Sequence, residues 1–233
     1  MFEETEQVIV IFSNELLEKI DNDCYQNTLF CAVGGKDQFK IIIPLLNKLK
    51  INFLVIADLD LINNRDKLKD LINSIESNKY NQISSIHNDF LNLFESGTDN
   101  QVKKQSAIKE EILNFITDEP YMSDETASKI RQVLKNISHL KLLKNCGKSC
   151  LPAGECVQKY NQIINFLNDS NIFVVEYGEI ERFIIEIDGH GSLWAEEVFK
   201  KYPTLDEHEY SNAKEFIKKV FKIGMLEDGE NNE

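Results

Sequence analysis

Apolar and polar residues alternate along the first quarter of the chain in the order expected for strands and helices that follow one another. Mostly apolar runs at Gln7 to Phe12, Thr28 to Val33 and Phe53 to Ala57 are typical of strands buried in a parallel sheet. Between them, apolar residues recur at helical spacing over Glu15 to Ile20 and over Phe39 to Leu49. This order predicts a β-α-β-α-β unit with helices on both faces of the sheet.

The pattern changes after Arg65, where polar-rich helical stretches continue to about Asn145. We interpret this region as a helical insert, with helices at Lys67 to Ser77 and Ser123 to Leu143 and a loop around Ser96 to Asn100.

Strand character returns at Ile172 to Val175, directly after an amphipathic helix over Glu155 to Asp169. Helices at Leu193 to Lys200 and Asp206 to Phe221 follow, and the acidic end from Glu227 has the composition of a disordered tail.

The predicted fold is therefore α/β, a Rossmann-like parallel sheet of about four strands flanked by helices, with a helical insert and C-terminal helices. The predicted boundaries are an α/β core at 1–64 and 146–190, an insert at 65–145, C-terminal helices at 191–223 and a tail at 224–233.

Charge and cysteine content narrow the function classes. The net charge of −13 argues against a protein that holds nucleic acid through its own phosphate-neutralising surface. An odd number of cysteines and no basic-then-apolar leader lead us to expect a reducing cytoplasm. No apolar run approaches the ~20 residues of a membrane span, so we expect no membrane partner. Lys218 and Lys219 are interpreted as an ordinary solvated face.

Acidic residues follow two of the predicted strands directly: Asp58 and Asp60 after one, and Glu179 and Glu181 after the other. Open α/β sheets keep their sites at the carboxyl ends of the strands. Asp58 and Asp60 can reach one ion only if the chain turns there, because residues two apart on a strand point to opposite faces. Carboxylates suit Mg²⁺ or Mn²⁺, and two such ions can activate water and stabilise a leaving oxygen. The plain alternative is that these carboxylates are only exposed strand ends.

The order of these motifs resembles a TOPRIM (topoisomerase–primase) domain. The resemblance is carried by Gly34-Gly35-Lys36-Asp37, by Asp58-Leu59-Asp60 and by Gly178-Glu179-Ile180-Glu181. More narrowly, the chain is similar from about Gln7 to Phe221 to the C-terminal nuclease half of the overcoming-lysogenisation-defect (OLD) family of ATP-dependent endonucleases.

The resemblance implies a metal-dependent DNA endonuclease that works with an OLD-type ATPase domain or subunit. It implies that Asp58, Asp60, Glu179 and Glu181 bind Mg²⁺ or Mn²⁺, and that a lysine after the insert assists phosphate chemistry. That lysine would be Lys144, with Lys148 as the second choice. A homodimer is one expectation for the oligomeric state.

The chain departs from the family pattern in two places. The glutamate that usually ends the first TOPRIM strand is missing, because Phe12-Ser13-Asn14 stands there; Glu15 could substitute, although it also suits the first turn of a helix. The chain also lacks a P-loop, because Gly147-Lys148-Ser149 would need a glycine at Leu142.

Three other interpretations remain open. A degenerate TOPRIM fold could serve as a binding or regulatory subunit. A haloacid-dehalogenase-like phosphatase or nucleotide-sugar transferase also uses Asp-x-Asp, but Ile62 stands where the phosphatase pattern has threonine. A zinc site at Cys146, Cys150 and Cys156 would lack the paired C-x₂-C spacing.

Overall fold

A computed structural model describes residues 15–31, 33, 36–98, 105–116, 121–134, 139–187, 189 and 191–223. Strands β1 (Val55–Asp58) and β2 (Ile172–Val175) pair in parallel, with Val55 opposite Ile172 and Asp58 opposite Val175. Their carboxyl ends therefore lie side by side.

Helices surround this sheet. In chain order they are α1 (15–20), α2 (Asn22–Gln26), α3 (Phe39–Leu49), α4 (Arg65–Ile75), α5 (Ser84–Thr98), α6 (Gln105–Leu113), α7 (Asp124–Leu134), α8 (His139–Cys146), α9 (Glu155–Asp169), α10 (Gly191–Lys201) and α11 (Ser211–Phe221). None of these described helices is both long and apolar enough to cross a bilayer.

The two faces of the sheet carry separate hydrophobic cores because successive strand side chains point to opposite sides. Ile172 and Val174 belong to a first core with residues of α3, α4, α5 and α9. Phe173 and Val175 belong to a second core with residues of α1, α10 and α11. The prediction of a parallel α/β arrangement with helices on both faces is confirmed for the described residues.

The predicted sheet of about four strands is confirmed for two of them. The predicted strand at Gln7 to Phe12 lies outside the described residues. Residues 28–31 and 33, which belong to the other predicted strand, have no regular secondary structure. A four-stranded sheet therefore stays a prediction.

The helices that follow β1 are part of the first core. Leu68 and Ile72 of α4 and Phe90 and Phe94 of α5 are fully buried in it, together with Ile163 of α9. These helices complete one layer of the fold, and the insert boundaries at 65 and 145 stay a prediction.

The loop expected around Ser96 begins later than predicted, because α5 continues through Thr98. The Thr98 hydroxyl donates to the carbonyl of Phe94 at 2.6 Å, which keeps the last turn closed. Gly97 allows close packing here, since a Cβ at this position would collide with the Pro152 side chain. Likewise, the single helix predicted over Ser123 to Leu143 is described as α7 and α8, and residues 135–138 between them are outside the described part.

Candidate active site

The chain turns directly after β1, as it must if Asp58 and Asp60 are to point to the same side. Asp58 ends the strand, and the chain then enters the 3-10 helix Leu59–Asn63, which carries Asp60. Leu59, Leu61 and Ile62 of this turn are fully buried. Asp58 and Asp60 are partly exposed beside this apolar anchor.

The loop after β2 brings the second acidic pair to the same edge of the sheet. The amide of Leu59 donates to the carbonyl of Gly178 at 2.8 Å, which joins the two strand ends. Glu179 and Glu181 are both buried. Oε1 of Glu181 accepts a hydrogen bond from the amide of Gly191, at 3.3 Å, so this carboxylate faces the start of α10.

Lys144, in the last turn of α8, brings a positive charge into this acidic edge. Its Nζ lies 2.9 Å from Oε2 of Glu179, and Nε of Arg182 lies 3.8 Å from the other oxygen of the same carboxylate. Burial acts to lower the pKa of Lys144, but the hydrogen bond to Glu179 and the charges of Glu179, Asp58 and Asp60 raise it above its ordinary value. The structure therefore brings three of the four predicted carboxylates close to the ammonium group of Lys144.

Two glycines allow α8 to approach the loop this closely. Gly178 has φ +113°, and a Cβ there would collide with the backbone carbonyl of Lys144. Gly147 has φ +59°, and a Cβ there would lie 2.5 Å from the carbonyl oxygen of Glu176. The amide of Lys148 also donates to that carbonyl, at 2.8 Å. Lys144 is thus positioned by backbone packing as well as by its own ion pair.

His87 is a site-supporting residue that the sequence reasoning missed. Its ring is fully buried; Nε2 lies 2.6 Å from the carbonyl oxygen of Ile62, and Nδ1 lies 2.8 Å from the Tyr80 hydroxyl. It therefore ties α5 to the turn that carries Asp60. The available signal was the helical spacing of Ile83, His87 and Phe94, which places the histidine on the apolar face.

Glu176 is a second missed residue, and its contacts correct the interpretation of Lys219 as an ordinary solvated side chain. Its carboxylate accepts from Lys148 at 3.0 Å and from Lys219 at 2.8 Å. Burial acts to raise the pKa of Glu176, but the hydrogen bonds and charges of Lys219 and Lys148 hold it below the ordinary value. Glu176 is therefore ionised at neutral pH.

The carboxylates fit a divalent cation by donor type, since Mg²⁺ and Mn²⁺ prefer carboxylate oxygens. Over the described ranges, no three His, Cys, Asp or Glu side chains are grouped so as to hold a metal ion. Glu179 contacts Lys144, and Glu181 contacts the amide of Gly191. In this structure the ammonium of Lys144 supplies the positive charge among the acidic groups.

The cysteines do not form a zinc site in the described part of the chain. The pKa of Cys150 is raised to about 11, mainly by burial and further by the neighbouring Cys146 thiol. Burial likewise raises the pKa of Cys156 to about 11. Both thiols are thus protonated at neutral pH in this structure.

A protein-family model matches part of this chain. Residues 4–60 match the family described as overcoming lysogenization defect protein-like, TOPRIM domain. The matched segment includes Gly34-Gly35-Lys36-Asp37 and ends on Asp60, while Lys144 and Glu179 lie beyond it. No curated protein and no solved structure gives a significant match. Over residues 4–60 the chain is therefore similar to the TOPRIM domain of OLD-like proteins, which suggests a nucleic-acid-related module of the nuclease or primase type.

Proposed function

We propose that this chain is the metal-dependent nuclease module of an OLD-type endonuclease and that it hydrolyses phosphodiester bonds of DNA. The observation that supports this most strongly is the position of Lys144. Its ammonium pairs with Glu179 and is acted on by the charges of Asp58 and Asp60 at the carboxyl edge of the sheet. A site for phosphate cleavage needs this combination of hard anionic ligands and a cation that can bind a phosphate oxygen.

Each residue has a defined task in this proposal. Asp58 and Asp60 would hold one Mg²⁺ or Mn²⁺ ion and Glu179 would bind on or near a second, and a bound ion supplies an activated water at neutral pH. Lys144 would bind a phosphate oxygen and stabilise the negative charge that develops on it. Glu181 remains the candidate ligand for a second ion, although its contact with Gly191 also gives it a role in holding the loop.

The proposed partners follow from charge and from the family. Because the chain carries a net charge of −13, DNA would need a divalent ion or a partner to offset the repulsion. An OLD-type ATPase, in a separate domain or subunit, is the partner that the family implies. Location in the cytoplasm and a homodimeric state belong to the same proposal.

A second function has its own supporting observation. The glutamate expected at the end of the first strand is replaced by Phe12-Ser13-Asn14, inside the segment that matches the family. Glu15 is exposed at the start of the described part of α1. A TOPRIM fold without that ligand would act as a binding or regulatory subunit. It would keep the binding surface of the fold but would not cleave phosphodiester bonds.

Nicking of supercoiled plasmid in Mn²⁺ tests the nuclease proposal. We expect the unmodified chain to convert plasmid to the open circular form. Asp60→Asn and Lys144→Gln should each lower the rate by about 100-fold or more, because one removes a ligand charge and the other the cation at the phosphate. Electrophoresis of the time course measures both rates.

The matched control is Asp70→Asn, which removes one carboxylate from the exposed face of α4 and should leave the rate unchanged. Cleavage that survives Asp60→Asn would contradict the proposed site. No cleavage by the unmodified chain, alone or with added ATPase partner, would favour the regulatory subunit.

A further inference from the structure

The Glu176 carboxylate holds two lysines together near the proposed active site. Lys148 approaches one of its oxygens and Lys219 the other, at 3.0 and 2.8 Å. Lys148 follows α8, whereas Lys219 belongs to α11, more than sixty positions further along the chain. Contacts between distant elements therefore create this cluster, which we call the Glu176 triad.

The Glu176 triad resembles the arrangement at Glu179, where one carboxylate also lies between two cations. Glu176 and Glu179 stand three residues apart on one loop, and Lys144 and Lys148 stand four apart on the facing segment. The amide of Lys148 bonds to the carbonyl of Glu176 at 2.8 Å, which holds the two segments side by side. The Glu176 triad is thus continuous with the site of Lys144.

The Glu176 triad keeps one unit of positive charge, because Lys148 and Lys219 face one ionised carboxylate. This surplus lies at one edge of a chain whose net charge is −13. A lysine ammonium carries three donors, and the contact with Glu176 occupies one of them. Side chains of Lys148 and Lys219 are 56% and 34% exposed, so their remaining donors can reach a ligand in solvent.

We propose that Lys148 and Lys219 form a phosphate-binding subsite for the backbone of a nucleic-acid strand, adjacent to the phosphate that reacts beside Lys144. This inference rests on the proposed nuclease function and extends it to how the substrate is held. Glu176 is a positioning residue here, since it fixes the spacing of the two ammonium groups and does not contact the strand. Backbone phosphates are the ligand of choice because lysines bind them without regard to base sequence.

Binding of labelled single-stranded DNA of roughly 20 nucleotides, followed by fluorescence anisotropy over a range of NaCl concentrations with a fixed low concentration of Ca²⁺ in place of Mg²⁺ or Mn²⁺, tests the subsite without relying on cleavage. The double variant Lys148→Gln/Lys219→Gln should bind about tenfold more weakly at low salt. Its slope of log affinity against log salt should fall by about 1.4, or about 0.7 for each lost phosphate contact.

The control variant Lys129→Gln/Lys201→Gln changes the net charge equally and also removes two lysines that are each paired with one carboxylate. It should leave the slope unchanged. Glu176→Gln should act in the opposite direction, with tighter binding at low salt, because it raises the surplus charge of the triad. A cluster that served only stability would not produce this gain. Thermal unfolding of each variant shows that the fold is retained.

Three outcomes would overturn the inference: no binding by the unmodified chain, equal losses in both double variants, or inorganic phosphate binding as tightly as the oligonucleotide in calorimetry. The nuclease proposal is judged separately by plasmid nicking. Normal nicking with an unchanged salt slope in Lys148→Gln/Lys219→Gln would reject the subsite alone. An altered slope without any nicking would keep the subsite and reject the nuclease.

Discussion

His87 holds the turn of Asp60 through a buried imidazole whose burial favours the neutral form. Because a carbonyl only accepts, Nε2 must donate to Ile62, and Nδ1 is then left to accept from the Tyr80 hydroxyl. The pKa of His87 is lowered mainly by burial. The hydrogen bond to the Ile62 carbonyl acts to raise this pKa, and the positive charge of Arg65 acts to lower it further. Protonation would make Nδ1 a donor, so the bond with the Tyr80 hydroxyl would have to reverse its direction.

The pH dependence of stability follows from this lowered pKa. Below about pH 6.5 the unfolded chain binds a proton at His87 more readily than the folded chain, so the free energy of unfolding should fall as the pH drops through this range. In His87→Gln that contribution disappears. Glutamine keeps an amide donor toward Ile62 but loses the packing and the acceptor, so the variant should be less stable at neutral pH by about 1–3 kcal/mol.

Urea unfolding of both proteins at neutral pH and near pH 5.5 measures the difference. All other titrating groups contribute equally to the pH dependence of unfolding in the unmodified protein and in His87→Gln, so the difference between the two isolates His87. If acidification destabilises the variant as much as the unmodified chain, His87 does not carry this dependence.

At the scale of elements, the docking of α8 on the loop after β2 depends on Gly178. Gly178→Ala should destabilise the protein and lower nicking, because the methyl group adds a collision with the Lys144 carbonyl to the cost of positive φ. The matched control is Gly154→Ala. Gly154 has φ +86° but no atom within 4 Å of a Cβ, so this variant carries only the conformational cost of about 1–3 kcal/mol.

Chemical denaturation and the nicking assay together measure this pair of variants. We expect Gly178→Ala to lose more stability than Gly154→Ala and to lose activity as well, since α8 carries Lys144. Equal effects of the two substitutions would mean that the contact between α8 and the loop is not close in solution.

Helices and strands that are determined by the local spacing of apolar residues were predicted well from the sequence. Helix α9 and strand β2 have the predicted limits, because apolar spacing alone distinguishes them. The end of α5 was predicted wrongly, since the helix continues through Thr98, and Gly97 in its last turn lies against Pro152, a residue distant in the sequence. For the same reason, the approach of Lys144 to Glu179 could be taken only from the family resemblance. The triad at Glu176 could not be predicted, since nothing local in the sequence relates Lys219 to that carboxylate.

At the scale of the whole molecule, the two cores share one sheet and should unfold together. Phe90 is fully buried in the first core, where its ring lies 5.8 Å from that of Phe94. Trp194, the single tryptophan, is fully buried in the second core. Phe90→Ala should cost about 3–5 kcal/mol and should shift the unfolding midpoint reported by Trp194 by the same amount as the midpoint from circular dichroism.

The control is Leu113→Ala, which shortens an exposed side chain on α6 and should change the stability by less than about 0.5 kcal/mol. A tryptophan transition that stays in place in Phe90→Ala would show that the two faces of the sheet unfold independently.

The parallel pairing of β1 with β2 also sets the order in which the molecule can mature during synthesis. Roughly 120 residues separate Asp58 from Glu179, so at the ribosome's ~5–20 residues per second the first acidic pair emerges about 6–24 s before the second. Until then β1 has no β2 to pair with, so its edge is unpaired. Helices α3 and α4, which are close to β1 in the sequence and pack on each other, can cover it in the meantime. Nascent chains stalled within the helices that follow should therefore be more prone to aggregation than the finished protein.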